Sequence, residues 1–284
     1  MSNEQIARER AESFRAEHDL GTRPLADLFE LAHTALGVDA QALDAGEFEH
    51  GLSMLNPDTG RVALVVATTP HPMRQRSSLA HEFGHVLGGD LTAPSMPAPG
   101  TRGPAEIQAD AFARHLLLPI QALHARFGAA RRRRPAAATV GEGDLAAVVQ
   151  EFEISPAMAA IQFKQAGLID QGTLDEWSSL TAPALAVRYG WLSQYQAMSV
   201  SSTRPRAPQT LMRRAVEGYH RGVIGVAELA EWYGQTNEQL LEQLGPPRYA
   251  TAGPEDDVHR RSDDVDEDAP LFPAGFGARP TPAP

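Results

Sequence analysis

Residues 81–85 read His-Glu-Phe-Gly-His. On an α-helix, side chains four apart share a face, with Cβ atoms about 5–6 Å apart. His81 and His85 can therefore aim their imidazoles at one point and hold a Zn²⁺ at about 2.0–2.1 Å. Glu82 follows the first histidine and leans toward the open side of such a metal. A carboxylate there can take a proton from a metal-activated water and pass it to a leaving amine. Phe83, Val86 and Leu87 give the same helix an apolar face to bury. The chemistry this pattern implies is hydrolysis of an amide bond.

A catalytic zinc takes a third protein ligand and keeps one position open. The chain has no cysteine, so that ligand must be His, Asp or Glu. Our choice is Glu106, which begins a second helix after a 20-residue gap, the spacing class of zincins with a glutamate third ligand. Asp110 stands one turn further on the same face, where it can hold the outer nitrogen of His81 or His85. Ala109 and Ala113 flank that face and let the two helices come close. A rival pattern, His-Glu-x-x-His-x-x-Gly-x-x-His, fits at Gly88 but puts Leu91 where its third ligand belongs, and leucine cannot bind metal. Asp90 lies one place out of that register and stays open as an alternative ligand. His115 falls about half a turn round from Glu106 and faces away. For His50 and His71, in and just after a hairpin, an ordinary polar position is the simpler reading.

The elements that must position these residues follow from periodicity and punctuation. Residues 3–18 suit an amphipathic helix ended by Gly21, and a second helix begins near Thr22 and Pro24 and runs to Gly37. FEHGLSML and RVALVVA flank the turn NPDTG and predict a hairpin. SSLAHEFGHVLGG is a helix closed by Gly88 and Gly89, and AEIQADAFARHLLL is another between Pro104 and Pro119. The fold expected is α+β: a mostly helical, zincin-like peptidase domain with a small hairpin or sheet, then a helical, helix-turn-helix-like region, then a disordered acidic tail. The boundaries expected are 1–128 for the peptidase domain and 129–142 for an Arg/Ala/Pro linker with arginines at 131–134. Residues 143–200 form the helix-turn-helix-like region, with Ser155 capping and Gly167 closing its second helix. A linker at 201–207, a helical hairpin at 208–246 turning at Gly234, and a Pro-rich tail at 247–284 complete the chain.

Charge and composition exclude some classes of function. The net charge is −11, of which the eight acids and three arginines of residues 251–284 contribute −5. An acidic body argues against broad nucleic-acid affinity, which needs Lys and Arg to displace counterions. The N-terminal residues carry charge throughout and lack the apolar core of a secretory signal, and no run approaches a membrane span of roughly 18 residues. A cytoplasmic protein without a membrane partner is expected.

In the stretches RQRSSLAHEFGHVLGG, EIQADAFARHLLLP and LAAVVQEFEISPAMAAIQFKQAGLI the chain resembles the ImmA/IrrE family of metallopeptidases, which are gluzincin-like. The resemblance covers about residues 5–170, with a weaker match at 208–244. It implies zinc on His81, His85 and Glu106, with Mn²⁺ possible in vitro, and Glu82 as the catalytic residue. It also implies a cytoplasmic regulatory protease that cleaves a helix-turn-helix, XRE-like repressor and so derepresses mobile-element, stress-response or phage-defence genes. Single-stranded DNA is a possible trigger. Two departures stand out: Asp110 where the family commonly has Asn, and an unusually Pro-rich loop before the second helix.

The alternative is a non-catalytic DNA-binding or sensory regulator on a peptidase scaffold. It rests on residues 144–170 and the arginine run. Against it, the candidate recognition helix offers Lys164, Gln162 and Gln165 alone for base readout. A broad-specificity digestive peptidase conflicts with the expected cytoplasmic address.

Overall fold

The computed structural model describes residues 1–44, 51–55, 60–91, 103–133 (side chains to 128) and 140–248. The first part of the chain forms α1 (Asn3–Glu17), α2 (Leu28–Leu36), β1 (Asp39–Leu43), β2 (Gly51–Leu55), β3 (Val62–Ala67), α3 (Pro72–Gly88) and α4 (Pro104–Leu117). Then follow α5 (Ile120–Arg133), α6 (Glu142–Phe152), α7 (Pro156–Gln165), α8 (Gln171–Ser178), α9 (Ala182–Arg188) and α10 (Leu192–Ser202). The last helices are α11 (Gln209–His220), α12 (Val226–Tyr233) and α13 (Asn237–Leu244). The architecture is α+β and mostly helical. Among the described residues no helix is long and apolar enough to cross a membrane.

Local chemistry accounts for the element ends. Asp27 caps α2 by accepting from the N–H groups of Phe29 and Glu30, so that helix starts at Leu28 rather than near Thr22 and Pro24. Pro72 opens α3 five residues before the expected start at Ser77, because proline suits a first helical turn, where its missing N–H is not needed. Gly89, with φ +69°, ends the helix. Prolines bound α4 on both sides.

The sheet has the order β1-β3-β2. β2 and β3 pair antiparallel from Gly51↔Val66 to Leu55↔Val62, as a hairpin requires; residues 56–59 of its expected turn lie outside the described residues. β1, which no reading of the sequence anticipated, pairs parallel with β3. Its buried positions are only Ala40 and Ala42, too small to announce a strand by hydrophobic alternation. On the core face Leu64 and Val66 lie under α3, fully buried. At the other end of the core Arg15, also buried, donates from its guanidinium to the carbonyls of Gly21, Arg23 and Leu116, joining the end of α1 to that of α4.

Chain contacts divide the molecule into Met1–Arg214 and Ala215–Pro284. One hydrophobic core in the first unit joins Phe14, Leu64, Phe83 and Phe112 to Leu145, Phe163, Trp177, Leu185 and Trp191. The helices from α6 to α10 are thus part of the body that carries α3 and α4. Arg76 of α3 pairs with Glu153 after α6 at 3.2 Å, and Gln75 donates to the carbonyl of Ser202 at the end of α10 at 3.0 Å.

Two stretches expected to be linkers differ from that reading. α5 continues through Arg133, because alanine and arginine favour helix and Pro135 comes only afterwards. Residues 201–207 are docked. Arg206 and Ala42 exchange backbone hydrogen bonds of 2.9 Å, placing an antiparallel bridge on the outer edge of β1. The Arg206 guanidinium forks onto both oxygens of Asp27 and covers the ring of Phe29. Toward the end of the described residues, Gly222 and Gly234 both adopt positive φ, so residues 208–246 make three helices rather than a hairpin. Leu229, Ala230 and Leu240 are buried there, and Tyr219 Oη donates to the Gly245 carbonyl at 2.7 Å. The tail expected at 247–284 lies outside the described residues from 249 onward.

Candidate metal centre

Small residues bring α3 and α4 together. A Cβ on Gly84 would stand 2.8 Å from the Cα of Ala109, so the backbones touch where a side chain would part them. Gly84 lies between His81 and His85 on α3, and Ala109 lies between Glu106 and Asp110 on α4. Each helix presents an i, i+4 pair to the other.

The three expected ligands converge. His81 Nε2 and His85 Nε2 are 3.0 Å apart. Glu106 places Oε2 3.3 Å from His81 Nε2 and Oε1 3.4 Å from His85 Nε2. These three residues form the cluster of potential metal ligands found among the described residues. Ligands on a tetrahedral ion with bonds of about 2.0–2.1 Å are separated by about 3.3 Å, so the donor set fits zinc in both spacing and chemistry. Asp110 Oδ1 lies 2.9 Å from His81 Nδ1. An ionised carboxylate only accepts, so His81 carries its proton on Nδ1 and keeps the Nε2 lone pair toward Glu106 and His85.

Glu82 lies beside this triangle and is buried. It packs against β2: a Cβ on Gly51 would come 2.8 Å from Glu82 Oε1, so glycine there makes room for the carboxylate. Burial pushes the Glu82 carboxyl up from its ordinary value. The Ser53 hydroxyl and the two imidazoles oppose that rise, and the charge of Glu106 adds to it. Burial alone would lower His81, but the hydrogen bond and charge of Asp110, with Glu82 and Glu106 nearby, outweigh it and raise that imidazole. Gly51 and Ser53 escaped the sequence reading. Their signal is the two-residue period of a strand, which puts both on one face.

The remaining candidates lie elsewhere. Asp90 Oδ1 is 3.2 Å from His85 Nδ1, at the ring edge away from Nε2, and so stands outside the donor triangle. Leu91 brings no donor atom. His115 is buried, faces α1 and meets Glu4 at 2.8 Å. His71 precedes α3 as its N-cap residue, and His50 lies outside the described residues. Two of the three side chains considered for base readout, the glutamines, are engaged within the fold. Gln162 is fully buried and donates to the Leu118 carbonyl at 2.6 Å, and Gln165 donates to Glu4 at 2.7 Å.

Comparison with known families agrees with this geometry. Residues 33–164, which contain all three candidate ligands, match the family model Peptidase_M78, IrrE N-terminal-like domain. No curated protein matches the chain.

Proposed function

Residues 33–164 match the IrrE N-terminal-like domain family, and from that premise we propose that this chain is a zinc-dependent regulatory endopeptidase of the cytoplasm, cutting a helix-turn-helix repressor. The observation that carries the catalytic part is the triangle of His81, His85 and Glu106 with Glu82 at its side. A zinc ion held by those three side chains supplies Lewis acidity toward a peptide carbonyl and acidifies the attacking water. Glu82 accepts that water's proton on its carboxylate and delivers it to the departing amine nitrogen. Its raised affinity for protons suits both halves of the task, and the Ser53 hydroxyl fixes where the carboxylate points. Asp110 holds His81 in the tautomer that ligation requires.

An extended substrate segment has a place to lie. Among the described residues β2 is an edge strand, and its Gly51 and Ser53 adjoin Glu82, so a peptide added along that edge would cross the site. Leu52, Met54 and Leu55 are exposed along it and favour an apolar segment. Specificity for one folded repressor draws on the family resemblance and on the helices after α5, which share a core with the peptidase elements.

The test is to incubate the protein, and separately its Glu82→Gln variant, with purified XRE-like helix-turn-helix repressors, including any encoded by the genes that flank its own, and with casein. Zinc or manganese is added, and single-stranded DNA in a parallel series. One or a few cuts in one repressor, absent with Glu82→Gln and with casein untouched, are expected. Digestion of casein, or every repressor left intact under every condition, would sink this reading.

A further inference from the structure

The two histidines of the metal triangle differ in what lies behind them. His81 is backed by Asp110 from another helix. Behind His85 stands Asp90, five residues on, with Oδ1 3.2 Å from Nδ1. We propose that Asp90 is the positioning residue of His85, holding its proton on Nδ1 so that Nε2 is free for metal. The proposal rests on the zinc reading above and deepens it.

The chain is built locally to bring that carboxylate back. Gly89, in the left-handed region at φ +69°, donates its N–H to the carbonyls of His85 and Val86 and reverses the chain over the last turn of α3. Gly88 leaves the space. A Cβ there would stand 3.0 Å from Asp90 Oδ1, tighter than ordinary contact, and 3.5 Å from a guanidinium nitrogen of Arg10. The run Gly88-Gly89-Asp90 thus supplies room, reversal and acceptor in that order.

The need for an acceptor follows from the apposed rings. His81 Nε2 and His85 Nε2 are 3.0 Å apart, which is hydrogen-bonding distance. Asp110 already fixes His81 as the acceptor of such a bond. Were His85 free to choose, its proton would move to Nε2 and close a histidine–histidine bond across the place where a cation binds. An ionised Asp90 removes that option, because it can only accept and Nδ1 must then donate. Two lone pairs then face each other and favour a cation between them.

The experiment compares wild type, Asp90→Asn and Asp90→Ala in two ways. Zinc affinity is measured by competition with a chelator, and the ring tautomer of His85 is read in metal-free protein from long-range ¹⁵N–¹H correlations. Asp90→Ala is expected to bind zinc about 10- to 100-fold more weakly and to show His85 protonated on Nε2. Asp90→Asn should recover most of the loss, since an amide oxygen accepts the same Nδ1–H. Equal affinity in all three proteins, or an unchanged Nδ1–H tautomer in Asp90→Ala, overturns the assignment. A wild-type protein that takes up no zinc counts against the proposed function instead. The tautomer comparison, made without metal, then still decides the role of Asp90.

Discussion

The helix pairs α3–α4 and α6–α7 read alike in sequence, each a short helix, a break and a second helix whose polar residues recur at helical spacing. At the first pair, alanine and glycine let the backbones touch, and the polar side chains meet at a half-exposed edge. Their outer atoms are held, as Asp110 holds His81, while the inner nitrogens keep unshared lone pairs. At the second pair the two glutamines of α7 are bound within the fold. Gln162 is bound to the carbonyls that end α4, and Gln165 reaches α1. With both glutamines engaged within the fold, that second helix offers Lys164 alone for base readout. A site is marked by donor or acceptor capacity left over after the fold has been satisfied.

The sharpest way to break this contrast is to remove a ligand. His81→Ala, His85→Ala and Glu106→Ala should each take metal content from about one zinc per chain to near none. Full occupancy by metal analysis in all three would end the distinction. Glu82→Gln should keep its zinc and lose peptidase activity by about 10²–10⁴-fold, because an amide cannot take the water's proton. Comparable turnover in that variant would move the base elsewhere.

Smaller effects belong to the second pair. Gln162→Leu strands the Leu118 carbonyl and should cost about 1–3 kcal/mol of stability, read by urea denaturation, with zinc affinity unchanged. Weakened zinc binding in that folded variant would show that the pairs are not independent. The smallest effect concerns Glu4. The hydrogen bond from His115, against the cost of burial and with help from Gln165 and Arg114, holds its carboxyl down at about 2 from an ordinary 4.5. A carboxyl lowered in the folded state stabilises above its unfolded value, and that contribution fades as pH falls from about 4.5 toward 2. Glu4→Gln should therefore be less stable than wild type at pH 6, with the gap closing by pH 2.5. A constant gap across that range would remove the carboxylate's charge from the account.

The parts of this site that could be read in the sequence are those where spacing dictates geometry. A helical repeat of four forces His81 next to His85 and Glu106 next to Asp110. The breaks at Gly89 and Pro104 depend on backbone chemistry that no packing overrides. β1 stayed hidden because its inward residues are alanines, and a strand of that kind is defined by its neighbour β3. The role of 201–207 was equally hidden, since Ser-Ser-Thr-Arg-Pro-Arg has the composition of a loop and its partners are more than a hundred residues away. Ser53 and Gly51 become part of the site only through the register of β2 against β3.

The bridge from Arg206 to Ala42 has a bearing on how the chain tolerates breakage. An uncovered strand edge is a template for pairing with other molecules, and here the outer side of β1 is closed by a segment that arrives late in the chain. A polypeptide cut short between residues 165 and 190 would keep all three candidate metal ligands and the whole matched domain. It would also bare that edge and leave Leu64 and Phe83 in a core lacking Trp191. Such a fragment should self-associate before it can act, so solubility of the peptidase half is secured only once residue 206 has been made.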